Sequence, residues 1–403
     1  MGRGTLAFKG GTIVLPDGTV PRGTVVLSGG KVVALLDSHA DTEGVTIDVE
    51  GRFVCPALID LHVHGGGGYG FDWDRPWAEW EKVAILHARH GVSGLLATVP
   101  APHGRWDRLK EFEDETGRKD WRGSRVLGLH FEGPYLHPRR RGAWPEASLV
   151  VPSEAACREL LQAAGRALKI ITMAPDLPQA MRCVALLASR GVIVSIGHTD
   201  ATYEQTVQAV KAGATRVTHL YNAMSGFHHR DPGAVGAALD LSEVSVEVIC
   251  DGVHVHPAAL RLALRTKGID GVSLVTDGSP FAGVEDAQGE LAFGQFPVRI
   301  VDGVCRTPDG GLAGSLLTLD RAVANAVRLL GVTVSQAVLM ASLVPARTLG
   351  MDRCKGSLAP GKDADIVVMD NDFRVEATLI GGRLAYVSPE GARRFENCPR
   401  LGD

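Results

Sequence analysis

The 403-residue sequence predicts an α/β protein, in which a (β/α)8 barrel carries a small β-sandwich domain built from both chain ends. Two observations predict this fold. Short apolar segments rich in β-branched residues alternate with helical segments between about residues 52 and 355. Turn-separated strand patterns occupy the first 50 residues and recur after residue 363. Because one short apolar run fits either a strand or a helix, the alternation carries the prediction.

The two chain ends contain short strand patterns separated by turn residues such as Pro16-Asp-Gly18, Gly29-Gly30 and Gly381-Gly382. Strands are expected at residues 6–9, 11–15, 24–27, 31–36, 364–370, 375–380 and 384–387. We expect residues 1–54 and 356–403 to meet in the β-sandwich domain, and residues 55–355 to form the barrel between them.

Eight buried strand patterns alternate with helical patterns, such as 204–211 and 321–328, along the middle of the chain. The expected strands are residues 57–62, 93–99, 126–130, 170–173, 192–196, 217–220, 246–250 and 272–276. In a (β/α)8 barrel the carboxyl ends of all eight strands meet at one mouth, where the active site lies. Polar residues directly after these strands are therefore the candidates for function.

Composition excludes several classes of protein. A hydrophobic content of 45% with 22% charged residues excludes intrinsic disorder. A net charge of −4 argues against nucleic-acid or membrane partners. The seven scattered cysteines contain no CxxC pair, which argues against a disulfide framework and a zinc ribbon. With neither a signal-peptide pattern nor an apolar run of 18 residues, a cytoplasmic location is expected.

His62 and His64 close the first expected barrel strand, before the glycines 65–68. Residues i and i+2 of a strand project to the same face, so both imidazoles can point at one metal ion. Further residues of metal-ligand type follow later strands, namely Glu132, His198, His219 and Asp277. Any one of them alone fits a hydrogen-bonded polar residue at a strand end. Their convergence at one barrel mouth predicts a metal site.

Imidazole and carboxylate ligands suit zinc or iron, and the sequence does not choose between them. A metal of this kind lowers the pKa of bound water and polarises a carbonyl group. Asp277 follows the last of these strands, and a carboxylate beside the metal is a natural proton shuttle. We therefore expect Asp277 to be the general base.

Three other polar groups have two interpretations each. Of His254 and His256, which follow another strand, one is a candidate for a substrate hydrogen bond, and a solvated loop histidine is the alternative. The basic runs Arg139-Arg-Arg141 and His228-His-Arg230 are either solvated loops or sites that attract an anionic substrate.

These segments together resemble the N-acetylglucosamine-6-phosphate deacetylase family of the amidohydrolase superfamily, and the resemblance covers nearly the whole chain. The matching segments are Pro56-Ala-Leu-Ile-Asp-Leu-His-Val-His-Gly65, Gly128-Leu-His-Phe-Glu-Gly-Pro-Tyr135, Gly197-His-Thr-Asp-Ala-Thr-Tyr203, Thr218-His-Leu-Tyr-Asn-Ala-Met224, Arg230-Asp-Pro-Gly233, Asp251-Gly-Val-His254, Val275-Thr-Asp-Gly278 and Leu312-Ala-Gly-Ser315. The resemblance implies hydrolysis of N-acetylglucosamine 6-phosphate to glucosamine 6-phosphate and acetate. Alternatives are an epimeric or unphosphorylated acetamido sugar, a cyclic amide, or a non-enzymatic scaffold.

The resemblance also implies the roles of the site residues. Glu132, His198 and His219 would hold the catalytic divalent metal, and Asp277 would activate its water and then protonate the departing amine. His254 would contact the substrate near the scissile amide. Because His62 and His64 are both present, a second metal bridged by Glu132 is expected, which would make two ions per subunit.

For the sugar phosphate, the resemblance implies contacts with the backbone amides of Asn222 and Ala223 and with Arg230. In this family that arginine reaches across a homodimer interface. The remaining sugar-pocket residues implied are Ala143, Asp251, His254, Leu312, Ala313 and Gly314.

Two segments depart from the family pattern. The family commonly places His or Gln where this chain has Trp144, and an indole stacks on a sugar face but cannot make the same polar contact. His137 is a candidate replacement for that contact. The family usually has Ala-Met where Gly278-Ser-Pro280 stands here. Both changes are expected beside the pocket and not among the metal ligands, so they bear on the substrate and not on the chemistry.

Overall fold

A computed structural model describes residues 5–37, 39–101, 106–293 and 296–400. Its strands, β1 to β21, are Leu6–Leu15, Gly18–Ser28, Lys31–Leu36, Val45–Asp48, Phe53–Pro56, Leu58–Val63, Gly65–Gly66, Tyr69–Gly70, Val92–Val99, Arg125–Glu132, Leu168–Met173, Ile193–Ile196, Arg216–Val217, Ser245–Ile249, Val272–Val275, Gly289–Phe293, Phe296–Val301, Val304–Arg306, Ile366–Met369, Val375–Ile380 and Arg383–Val387. Its α-helices, α1 to α10, are Trp77–Arg89, Trp106–Thr116, Glu154–Ala164, Ala180–Ser189, Tyr203–Lys211, Gly233–Asp240, Pro257–Lys267, Leu319–Asn325, Val334–Ala341 and Leu343–Thr348. Short 3-10 turns lie at Pro138–Arg140 and Glu146–Ser148, and a π-helical turn lies at Ala326–Leu330.

Eight parallel strands form the barrel, in the neighbour order β15-β14-β13-β12-β11-β10-β9-β6. The two outer strands meet at their carboxyl ends, where Val63 and Gly278 form a parallel bridge. The Asp277 N–H donates to the His62 carbonyl over 3.0 Å, and the His64 N–H donates to the Gly278 carbonyl over 3.0 Å. The predicted fold class is confirmed, and this seam brings the first and last strand ends together.

Burial explains why the barrel strands are continuous apolar runs. Every residue of β6 and of β9 is buried, as expected for parallel strands covered on both faces. Helices cover the outside, and several begin with the caps that their sequences encode. The Thr202 side chain accepts from the Gln205 N–H at the start of α5, and the Gln205 side chain accepts from the Thr202 N–H.

The chain ends share one sheet, in the order β21-β20-β19-β5-β1-β2-β3, with β4 paired to β1. Strand β5 joins the two ends, because it pairs in parallel with β1 and antiparallel with β19. The predicted boundary at residues 54 and 55 falls inside this strand. A separate apolar core fills this domain, with buried residues from both ends such as Phe8, Ile366 and Leu379.

A small antiparallel sheet, β16-β17-β18, lies between the last barrel strand and α8. The sequence analysis made no prediction for this segment. Its side chains Val298, Ile300 and Cys305 pack with Phe281 and Ala313 in a third apolar cluster. The insertion therefore follows the strand end that carries Asp277 and packs against the segment that carries Ala313.

Two further findings concern the length of the helices and the state of the cysteines. No helix among the described residues combines the length and the apolarity that crossing a bilayer requires. All seven cysteines are free, and six of them are buried.

An aromatic cluster under α1 provides a test of the barrel core. Trp80 is fully buried, with ring centroids 4.9 Å from Trp77, 5.0 Å from Phe71 and 5.4 Å from Trp73. We expect Trp80→Ala to lower the free energy of unfolding by about 3–5 kcal/mol, because it leaves a large cavity. Urea unfolding measures the loss.

Trp106→Ala is the matched control, since Trp106 is only partly buried and its indole donates to Glu159 over 2.9 Å. We expect this variant to lose about 1 kcal/mol. Equal losses in the two variants would contradict the assigned core.

Candidate metal centre and active-site pocket

One buried carboxylate, Glu132, lies at the centre of the candidate site. It is the last residue of β10, at the barrel mouth, and is 4% exposed. Its Oε1 lies 3.1 Å from His198 Nε2, 3.2 Å from His219 Nε2 and 3.4 Å from His62 Nε2. Its Oε2 lies 3.3 Å from His64 Nε2. The structure thus brings together four of the predicted imidazoles around the predicted carboxylate.

Glu132, His198 and His219 form a group that could hold a metal ion. The two Nε2 atoms of His198 and His219 are 3.0 Å apart. The His198 Nδ1–H donates to the carbonyl of Arg140 over 2.8 Å, so the Nε2 atom of a neutral His198 presents only a lone pair to the group. A cation among these atoms would balance the lone pairs and the carboxylate charge that face one another. This donor set therefore fits a divalent metal.

His62, His64 and Glu132 form a second such group, adjacent to the first. The Nε2 atoms of His62 and His64 are 3.2 Å apart. The His62 Nδ1–H donates to Glu247 Oε2 over 3.0 Å, which leaves its Nε2 free to bind a metal. Glu132 is common to both groups, with Oε1 and Oε2 each facing imidazole nitrogens.

Asp277 faces the second group from the end of β15. Its Oδ1 lies 3.3 Å from His64 Nε2 and 3.4 Å from His62 Nε2. Burial would raise the pKa of Asp277, but the neighbouring imidazoles, foremost His62 and His64, hold the pKa of this carboxyl below its usual value. Burial would likewise raise the pKa of Glu132, and His198 and His62 hold it well below its usual value. Both carboxylates are therefore ionised at neutral pH.

Three of these residues have backbone conformations that L-residues rarely adopt. The φ angles are +48° at His198, +29° at His219 and +48° at Asp277. Left-handed non-glycine residues of this kind cost on the order of 1–3 kcal/mol each and persist where the surrounding fold imposes them. Each lies directly after a barrel strand, where the chain turns away from the sheet.

A buried ion pair contacts the candidate site through His62. Arg216 Nε and Glu247 Oε1 are 2.9 Å apart, and neither side chain is exposed to solvent. Burial would raise the pKa of Glu247, but the Arg216 guanidinium and the hydrogen bond to His62 hold it well below its usual value. Glu247 therefore links Arg216 to the imidazole of His62. The sequence analysis did not select Glu247, although a carboxylate inside the apolar strand 246–250 was the signal available.

His130 is a second residue that the sequence analysis missed. Burial lowers the pKa of its imidazole to about 3, and the charge of His62 acts in the same direction. The neutral ring donates from Nδ1 to the Leu61 carbonyl over 3.1 Å and accepts at Nε2 from the Thr172 hydroxyl over 2.7 Å. Its centroid lies 4.6 Å from that of His62, so it packs against a candidate ligand.

A pocket of about 420 Å³ opens above the candidate metal centre. Most of the predicted substrate residues line it, namely Ala143, Asn222, Ala223, His254, Leu312, Ala313 and Gly314. Asp251 lies behind His254, with its Oδ2 2.6 Å from His254 Nδ1. The hairpin after β18 adds Thr307 and Asp309, which the sequence analysis did not select.

Three predicted polar residues lie elsewhere. Arg230 is exposed, outside the lining of the pocket, and its Nη1 lies 2.7 Å from His229 Nε2. His256 caps α7, where its Nδ1 accepts from the Ala258 N–H over 3.2 Å. His137 accepts from the Arg139 N–H over 3.2 Å and does not line the pocket, so it does not take the place of Trp144.

Trp144 lies directly over the candidate metal centre. Its indole N–H donates to Glu132 Oε2 over 3.0 Å, and its ring centroid lies 5.9 Å from that of His64. The side chain at this departure from the family pattern thus contacts a candidate ligand as well as the pocket.

Comparison with known proteins identifies the family of this site. The amidohydrolase family matches residues 53–385 of the chain. The chain belongs to the amidohydrolase family. It is 40% identical over 341 residues to an N-acetylgalactosamine-6-phosphate deacetylase of Escherichia coli O157:H7, which covers 83% of this chain and 88% of the relative. It is 35% identical over 385 residues to an N-acetylglucosamine-6-phosphate deacetylase of Lysinibacillus sphaericus, which covers 94% of this chain and 97% of the relative.

Solved structures agree with this assignment. The crystal structure of N-acetylglucosamine-6-phosphate deacetylase from Pasteurella multocida superposes with a TM-score of 0.89 at 30% identity, covering 95% of this chain and all of the other. The predicted membership in this deacetylase family is confirmed. This amidohydrolase is a hydrolase of a metal-dependent family, and its groups of histidine and glutamate ligands are consistent with that dependence.

The Arg216–Glu247 pair yields a stability prediction. Glu247→Leu leaves a buried guanidinium without its counter-charge, and we expect the free energy of unfolding to fall by about 3–5 kcal/mol. The double variant Arg216→Met/Glu247→Leu removes both charges, and we expect it to recover most of that loss. Urea unfolding of both variants measures the difference. A double variant as unstable as Glu247→Leu would contradict the pairing.

Proposed function

We propose that this amidohydrolase hydrolyses the acetamide of N-acetylglucosamine 6-phosphate to glucosamine 6-phosphate and acetate. The observation that carries the proposal is the position of the Asp277 carboxylate, which lines the pocket with its Oδ1 3.3 Å from Nε2 of the candidate metal ligand His64. The activity in the names of relatives that align with most of the chain supports the reaction. Free cysteines throughout the chain support the expected cytoplasmic location.

We propose that Glu132, His198 and His219 hold the catalytic metal, zinc or iron. His62 and His64 would hold a second ion, with Glu132 shared between the two. A divalent metal bound here lowers the pKa of a water molecule and polarises the acetamide carbonyl. The ligand types support this assignment, since imidazole and carboxylate suit both metals.

Asp277 moves the protons of the reaction. Its ionised Oδ1 accepts a proton as the oxygen of water bonds to the acetamide carbon. Asp277 then donates this proton to the sugar nitrogen as the C–N bond breaks, so acetate and the free amine leave. The lowered pKa of Asp277 keeps the carboxylate deprotonated, and so able to accept a proton, in the resting enzyme.

His254 stabilises the carbonyl oxygen as negative charge develops on it. Burial disfavours its charged imidazolium, but the hydrogen bond and charge of Asp251 outweigh that effect and raise the pKa of His254. Because Nδ1 is directed to Asp251 Oδ2 at 2.6 Å, Nε2 is the nitrogen left to donate to the substrate.

The phosphate has three candidate sources of contacts, namely backbone amides, Arg230 and two arginines of the pocket lining. The Asn222 N–H already donates to the His219 carbonyl over 2.9 Å, whereas the Ala223 N–H makes no hydrogen bond within the described residues. Arg230 would reach the phosphate from the partner copy of a homodimer. Arg139 and Arg140, which line the pocket and pair with Asp200 at 2.5 Å and 2.8 Å, are the alternative cations of the same chain.

A second candidate substrate is N-acetylgalactosamine 6-phosphate, the epimer in the name of the relative that is 40% identical. The reacting acetamide and the phosphate are common to both sugars, so the catalytic residues are compatible with either. Trp144 departs from the family pattern and lines the pocket. Both epimers should therefore be tested side by side.

Asp277→Asn tests the proton-transfer role. We expect kcat for acetate release to fall at least about a hundredfold, because the amide cannot accept the proton. Metal content should remain that of the wild type, measured by plasma mass spectrometry.

Asp302→Asn is the matched control, because Asp302 is exposed and has a φ of +51°, close to the +48° of Asp277. We expect this control to keep the wild-type rate. An Asp277→Asn variant with undiminished kcat would overturn the assignment.

Arg230→Ala tests the phosphate site. We expect KM for N-acetylglucosamine 6-phosphate to rise about tenfold to a hundredfold, since a charged hydrogen bond of about 1.5–3 kcal/mol is lost. Turnover of unphosphorylated N-acetylglucosamine should not change. If Arg140→Ala raises this KM and Arg230→Ala does not, the phosphate is bound within one chain and the cross-subunit role is wrong.

A further inference from the structure

A second cavity, of about 910 Å³, opens at the other end of the barrel. The end of α2 and the starts of β10 and β11 border it, and Arg383 of β21 reaches it from the domain formed by the chain ends. Arg125 begins β10 at this cavity, and Glu132 ends the same strand at the metal centre. Seven residues of extended strand span about 23 Å, so this cavity is separate from the active-site pocket.

Cations dominate the lining of this cavity. They are Arg118, Lys119, Arg125, Arg166, Lys169 and Arg383, and only Glu113 and Asp120 oppose them. The whole chain carries a net charge of −4, so the cavity is a local concentration of positive charge on an acidic protein. A concave, low-dielectric surface lined by one sign of charge attracts ions of the other sign.

Most of these cations are not neutralised by the protein itself. Arg118 pairs with Glu115 at 2.7 Å and with Asp120 at 3.2 Å. Within the described ranges, Lys119, Arg166 and Lys169 make no salt bridge and no side-chain hydrogen bond. Three positive charges in the cavity lining therefore have no ion-pair partner among the described residues.

Arg125 is the most constrained of the group. It is half-buried, and its side chain makes one long hydrogen bond, 3.4 Å from Nη1 to the carbonyl of Trp121. Burial lowers the pKa of this guanidinium, and the charge of Asp365 offsets that only in part. Partial burial of a guanidinium without a carboxylate partner is unfavourable, and a bound anion would relieve it.

The backbone of β10 makes room for the cation next to it. Gly128 has a φ of +154°, and a Cβ there would lie 2.5 Å from Lys169 Cγ and 2.7 Å from the Ala167 carbonyl oxygen. The glycine thus allows the stem of Lys169 to lie across β10. Val126 and Leu127 of the same strand supply apolar surface beside the charges.

We propose that this cavity binds a small phosphorylated molecule, whose phosphate groups contact Arg125, Arg166 and Lys169 while its carbon skeleton packs on Val126 and Leu127. The volume lies within the range of about 300–1,000 Å³ usual for small-molecule sites. Because the cavity holds more volume and more cations than a single phosphate needs, the expected ligand carries two anionic groups. A concave site of this kind suits a small molecule better than a nucleic-acid duplex or a bilayer.

Isothermal titration calorimetry of the metal-loaded enzyme with fructose 1,6-bisphosphate tests the proposal. The double variant Arg166→Gln/Lys169→Met removes two cations and keeps the apolar stem over Gly128. The double variant Arg190→Gln/Lys211→Met is the control, because it removes two exposed cations that do not line the cavity. Unchanged kcat and KM for deacetylation in both variants would show that they fold and that the active site is intact.

We expect the wild type and the control to bind the bisphosphate, and Arg166→Gln/Lys169→Met to lose one binding site or to bind at least tenfold more weakly. Binding of equal strength in all three proteins would assign the ligand to the active-site pocket and overturn the proposal. Equal weakening in both double variants would indicate general charge attraction and would also overturn it. Absence of binding to the wild type at millimolar concentration would do the same. The binding outcomes do not depend on the proposed deacetylase activity, which serves only to check that the variants fold.

Discussion

Four imidazoles converge on one buried carboxylate, and the arrangement of the barrel mouth depends on this contact. Glu132 ends β10, while its neighbours His62, His64, His198 and His219 come from three other strands, so the carboxylate joins elements distant in sequence. A divalent cation among these imidazole nitrogens and carboxylate oxygens, packed 3.0–3.4 Å apart, would balance their lone pairs and negative charge. Such a cation would also supply the activated water and the polarised carbonyl group that amide hydrolysis needs.

Neighbouring residues fix the orientation of the side chains around Glu132. Glu247, neutralised by Arg216, fixes which nitrogen of His62 faces Glu132, and the carbonyl of Arg140 does the same for His198. The left-handed backbone at His198, His219 and Asp277 costs conformational energy that the closed barrel and its buried strands offset. Asp277 reaches the site because the seam between β15 and β6 brings the last strand beside the first.

The sequence predicted the barrel and the convergence of its site because both follow from periodicity. Parallel strands end at one mouth, so ligand-type residues directly after Val63, Phe131, Gly197 and Thr276 had to meet there.

The residues that hold the candidate ligands in place from inside the core were harder to predict. Glu247 lies inside an apolar strand, and only the packed barrel reveals Arg216 and His62 as its partners. The antiparallel sheet β16-β18 is an insertion that the alternating β/α pattern does not predict. The contact between the indole of Trp144 and Glu132 forms only through tertiary packing. Arg230 lies outside the pocket of one chain, so the phosphate contact proposed for it would require a second copy.

Anomalous X-ray diffraction, recorded at the zinc and iron absorption edges from crystals of the active protein, tests the central claim most directly. We predict a peak about 2.0–2.2 Å from Glu132 Oε1, His198 Nε2 and His219 Nε2, the distances at which zinc binds such ligands. Protein that releases acetate from the sugar phosphate while its crystals show no metal peak next to Glu132 would contradict the account.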